Sequence, residues 1–149
     1  MRFRIITILV MLSALLITSA CGSVAPEEIN GLKPSDIPVL YTEANIRKDY
    51  EALNNLLEYR EEDLLGLHED ESPYQLETYG LTEWVFDDQT YYYLMEYLDP
   101  SQNDNLRVAT FKIIRTEEGW KKERYGETPD FDVIVEKLNE NMLRELSSP

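Results

Sequence analysis

Hydrophobic and polar positions divide this chain into stretches of different period. Residues 1–21 begin with the cations Arg2 and Arg4, run without charge over 5–17, and close on Thr18-Ser19-Ala20-Cys21. A charged start, an apolar run of about a dozen residues and a small-residue exit form an export signal. The run is shorter than the roughly 20 residues a membrane span requires. From 22 to 40, Gly, Ser and the prolines Pro26, Pro34 and Pro38 read as a tether, its second half ordered from about Leu32. Ile46, Tyr50, Leu53, Leu57 and Leu64 then recur at helical spacing. They predict a helix over 43–65, with Thr42 as its N-cap and Gly66 as its terminating glycine.

Beyond a loop at 67–73 the period falls to two. Strands are expected over 75–79 and 81–87, with Gly80 as a bend or bulge, then over 90–98, 106–115 and 120–125. Asp88-Gln89, the polar cluster 99–105 and Glu117-Glu118-Gly119 supply the turns between them. Thr128-Pro129 reads as an N-cap followed by proline at a first helical position. Behind it Phe131, Ile134, Leu138, Met142 and Leu146 make a stripe towards the C-terminus. The expected architecture is α+β: an N-terminal helix, an antiparallel meander of four to five strands and a C-terminal helix, in a two-layer sandwich.

The exit of the export signal is more specific. Ser19-Ala20-Cys21 resembles the lipobox of bacterial lipoproteins, with Thr18 where the usual pattern has leucine. The resemblance covers only the first 22 residues. It implies lipidation of Cys21, cleavage before it, and a lipid-anchored protein on the extracytoplasmic face of the cell membrane or outer membrane. The expected organisation is therefore a signal peptide over 1–20, a lipidated cysteine and tether over 21–40, and a single acidic domain over 41–149. Cleavage after Ala20 without lipidation, or an uncleaved anchor, are the rival readings.

Charge narrows the classes of partner. Without Arg2 and Arg4 the chain carries 12 basic residues against 29 acidic ones, a formal charge of −17. Such a chain repels nucleic acid, which is bound by basic faces. Cys21 is the lone cysteine, so once lipidated it leaves no thiol for a disulfide, a zinc site or a nucleophile. The stretch 107–124 runs against the trend, with six cations facing three acids. It reads either as an anion seat or as ordinary cross-strand pairing.

Candidate chemistry is sparse. His68 is the only histidine, so neither a Ser-His-Asp arrangement nor a two-histidine metal site can be built. The runs Glu61-Glu62-Asp63 and Glu69-Asp70-Glu71 lack the loop pattern of a calcium site. No metal, cofactor or catalytic set is expected, although a carboxylate such as Glu83 or Asp87 near the sheet stays open. The strand 90–98 is aromatic on both faces. Helices on both sides would explain that, and so would a face that meets a ligand. Trp84, Tyr91, Tyr93 and Tyr97 are the candidate contact residues, with core and rim packing as the plainer alternative. The first functional expectation is a non-enzymatic module for an envelope protein or a cationic peptide. The alternative is a small-molecule binder with a pocket on a curved sheet, ringed by Trp84, Tyr91 and Tyr93. There the order of elements is similar to the nuclear-transport-factor-like cones.

Overall fold

In the computed structural model, residues 25–65, 67 and 72–147 are described. The chain is an α+β domain built on one five-stranded antiparallel sheet. Helix α1 spans Asp36–Arg47, α2 Tyr50–Asn55 and α3 Glu62–Leu65. Strands follow at Tyr79–Val85 (β1), Thr90–Asp99 (β2), Asn105–Thr116 (β3) and Gly119–Lys122 (β4). A short helix α4, Phe131–Val135, precedes β5, Glu140–Arg144. The sheet order is β4-β3-β2-β1-β5, so the first four strands form the expected meander and the last returns to the far edge of β1.

The expected helix over 43–65 is three pieces, beginning earlier, at Asp36. Lys48 adopts a left-handed conformation (φ 61°) that ends α1. Asp49 starts α2 anew, its side chain accepting from the Ala52 amide at 2.9 Å. Competition from an Asp that can cap, and from Asn54-Asn55 at the far end, outweighs the apolar spacing that suggested continuity. Asn54 then clasps the backbone of Glu61, accepting from its amide at 2.8 Å and donating to its carbonyl at 3.2 Å. Leu57 pairs in parallel with Lys122, which extends the sheet beyond β4. Thr42, expected as an N-cap, lies buried inside α1, its hydroxyl 3.3 Å from Met95 Sδ. Gly66 lies outside the described residues.

The second half of the expected tether belongs to the domain. Ile29 and Leu32 form a β-bridge, Pro34 is fully buried, and Trp120 Nε1 donates to the Glu27 carbonyl at 2.8 Å. At the sheet the expected strand 75–79 reduces to Tyr79, and the last hairpin strand stops at Lys122. Gly80 lies within β1, where a Cβ would meet the backbone nitrogen of Leu146 at 2.9 Å. The register shift against β5 comes one residue later, between Leu81 and Thr82.

The largest correction concerns the C-terminus. The expected terminal helix is five residues long, and the chain then turns into β5. Thr128 does not cap it; its amide donates to Thr110 Oγ1 on β3 at 3.1 Å, and Asp130, at φ 54°, occupies the position before the helix. The outer edge of β1 would otherwise present a row of unpaired backbone groups, and β5 covers it.

The core divides at the sheet. Ile37, Tyr41 and Ala44 of α1 and Leu53 of α2 pack on Tyr91, Tyr93, Met95, Phe111, Ile113 and Trp120. On the opposite face Phe131 meets Trp84 edge-on at 5.6 Å and Tyr92 at 6.2 Å, with Ile134 and Val135 beside them. Two aromatic faces on β2 thus answer to two covers, but the second is partial. Leu106, Val108 and Met142 are all more than half exposed, at 55%, 55% and 60%.

Candidate functional site

α1 packs on β2 and β4, and beside it the same sheet continues into β1 and β5. A cleft of about 640 Å³ opens there. Its floor comes from β1 and β2 through Glu83, Val85 and Tyr91, one wall from Asn141 and Leu143 of β5, and the other from Pro26 and Ser35. Strand alternation puts these side chains together, since Glu83 is paired with Tyr93 on one side and with Asn141 on the other.

Glu83 is the chemical centre of the cleft. It is only 6% exposed, although it lines an open concavity. Tyr93 donates its phenol proton to Oε2 at 2.7 Å and Asn141 donates from Nδ2 to Oε1 at 3.2 Å. Burial, then the charge of Glu83, push the Tyr93 phenol far above its ordinary range. The Tyr91 phenol is also raised, first by burial and then by Glu83, Asp88 and Asp87.

The four aromatic residues named from sequence do not form one ring. Tyr91, Tyr93 and Tyr97 share the helix-covered face, where the rings of Tyr91 and Tyr93 stack at 6.4 Å and 15°. Trp84 points to the opposite face, against Phe131. All four are at most 8% exposed, and of the four only Tyr91 lines the cleft. The space between Tyr91 and Tyr93 is filled by core, so no pocket lies between them and Trp84. Pattern alone does not single out Asn141, because the apolar spacing over 131–146 fits a helix while the chain forms β5 there. Glu83 stood only among general carboxylate candidates. A charge at an inward position of a strand was its one signal.

Five of the six cations of the basic stretch are spent internally, while Arg124 is exposed. Arg115 pairs with Glu27 at 2.7 Å, Lys121 with Glu118 at 3.5 Å, Arg107 with Asp99 at 3.9 Å, and Lys112 with Glu123. Burial alone would lower the Lys112 ammonium, but Glu123 outweighs it and the net shift is upward. Lys122 is the exception. It is 1% exposed, donates to the carbonyls of Arg124 and Gly126, and lies 5.2 Å from the Tyr41 ring and 5.6 Å from that of Phe111. Burial lowers its ammonium to about 8. Its geometry is that of a staple holding the loop after β4.

Among the described residues no cluster of His, Cys, Asp and Glu is placed to hold a metal ion, and no helix is long and apolar enough to cross a membrane. His68 and the run Glu69-Asp70-Glu71 lie outside the described residues, as does Cys21. Comparison of the chain with family models, curated proteins and solved structures finds no match.

Proposed function

We propose that this chain is a lipid-anchored binding module on the extracytoplasmic face of a bacterial membrane, holding an acidic head for a cationic protein or peptide without catalysing a reaction. The observation that carries this reading is the outward charge. The chain has 29 acids, and five of the six cations of its one basic stretch, all but the exposed Arg124, are engaged by Glu27, Asp99, Glu118 and Glu123 or by backbone carbonyls. A field of that sign steers and retains cationic partners and repels nucleic acid.

The anchor reading gains a geometric consequence. If Cys21 carries the lipid, only five residues separate it from Glu27, whose carbonyl is tied to Trp120. That spacer reaches about 20 Å at full extension. The head is then held close to the headgroups rather than lifted far from them. Two or more acyl chains at one cysteine suffice for stable attachment.

The test uses the full chain in membranes with a lysine-rich peptide as probe. Capture that falls steeply between low and high salt supports the module, and capture indifferent to salt sinks it. A second reading, a small-molecule binder, is favoured by the cleft beside β5 rather than by a cone interior, since the core between Tyr91, Tyr93 and the helices is filled.

A further inference from the structure

Buried carboxylates are ordinarily matched by a cation, a metal or a full set of donors. Glu83 has no cation within salt-bridge distance among the described residues. Its two hydrogen bonds, one to each oxygen, leave about half of the four acceptor positions of an ionised carboxylate unused. Glu83 lines the cleft, where Val85, Tyr91 and Leu143 supply apolar wall and Ser35, Asn139 and Glu140 polar rim. A buried carboxylate beside an apolar wall is complementary to a positive charge at the tip of an alkyl chain.

We infer that the Glu83 cleft is a receptor for a primary alkylammonium group, with the ammonium on Glu83 and the methylene stem along Val85, Tyr91 and Leu143. The preference for ammonium over guanidinium follows from the neighbours of the carboxylate. Tyr93 reaches it from β2 and Asn141 from β5, so each oxygen already accepts from one flank. A guanidinium seeks both oxygens side by side, whereas a compact ammonium needs one free lone pair and nearby acceptors. Lys137 lines the same cleft and is exposed, which makes it the chain's own competitor for the carboxylate. The group has two sources, a lysine side chain of a protein partner or a free small amine. The inference rests on the reading that this acidic head binds a cationic partner, and adds which group is read and where.

The test is calorimetric titration of the full chain in detergent micelles at neutral pH. The probes are 1-aminopentane, lysine blocked at both backbone ends, and 1-pentanol as the uncharged match. Both amines are expected to bind saturably and pentanol not at all. Glu83→Gln, with its fold checked by circular dichroism, should lose at least tenfold in amine affinity, and Lys137→Gln should gain severalfold. Should Glu83→Gln fail to fold, the Lys137→Gln gain and the amine-over-alcohol preference decide the matter. A lysine peptide binding at least tenfold tighter than blocked lysine identifies a protein source, and equal affinity identifies a free amine. Absence of saturable amine binding, equal binding of pentanol, or an unchanged Glu83→Gln variant overturns the assignment. Salt-sensitive peptide capture that survives in Glu83→Gln would leave the module standing and remove the cleft. Amine binding without peptide capture would do the reverse.

Discussion

Tyr93 and Glu83 face each other across the β1–β2 pair, the phenol donating to Oε2 at 2.7 Å with the tyrosine fully buried. This bond ties the centre of the core to the floor of the cleft. Tyr93→Phe removes one of two donors from a carboxylate that is itself buried. The expected cost is about 1–3 kcal/mol, read as a lower urea midpoint with unchanged slope. Pairing the change with Glu83→Leu should recover part of that loss, because no buried charge then stands unpaired. Additive losses would show that the two groups act independently.

Alkaline titration should reveal two opposed effects. The Lys122 ammonium is lowered to about 8 from its ordinary 10.5, so between those values the unfolded chain binds more protons and stability rises with pH. Tyr41 and Tyr93 are raised above their ordinary 10, chiefly by burial, so their contribution is present below that pH and is lost above it. The urea midpoint should climb from pH 8 to about 10 and then fall. Lys122→Met should flatten the climbing limb, and a wild-type curve without that limb would count against a buried ammonium.

Gly80 should not tolerate a side chain. An added Cβ meets the backbone of Leu146 at 2.9 Å, and backbone cannot swing aside as a side-chain tip can. Gly80→Ala is expected to loosen the segment after β5 from β1. Amide hydrogen exchange should quicken over 140–146 while β2 and β3 keep their protection.

Trp84→Ala should uncover the second sheet face. Its ring meets Phe131 edge-on, and truncation of a buried tryptophan costs about 3–5 kcal/mol. Exposure of Tyr92 and release of 127–138 to protease should accompany the loss. Thermal melting and limited proteolysis report both, and an intact α4 segment in the variant would refute the packing role.

Cys21→Ser should move the protein out of the membrane fraction and leave an unprocessed mass. Retention in the pellet at unchanged mass would mean that the anchor lies elsewhere.

Much of the meander was legible because its signals are local. The β2–β3 turn contains Asp99, Pro100 and Asn103, and the β3–β4 turn is closed by Gly119 at φ 119° with Thr116 donating to its carbonyl at 2.8 Å. Period-two alternation on β2 correctly separated Tyr91, Tyr93 and Tyr97 from Tyr92. The same parity, carried across the turn to β1, places Trp84 opposite Tyr92 and away from Tyr93. That pairing needs a register, which no single strand contains. The helix expected over 43–65 is broken because an apolar stripe survives a break, while Asp49 can cap only when the chain turns there.

By itself the sequence determined the α+β class, the four-strand meander and the acid excess, because periodicity, turn chemistry and charge are properties of neighbouring residues. Only the tertiary structure decided that 140–144 is a strand and that Glu83, Tyr93 and Asn141 meet. The physical reason is the open edge of β1. Its unpaired backbone groups drew in a segment some 60 residues away, and that pairing, which no local pattern encodes, built the cleft.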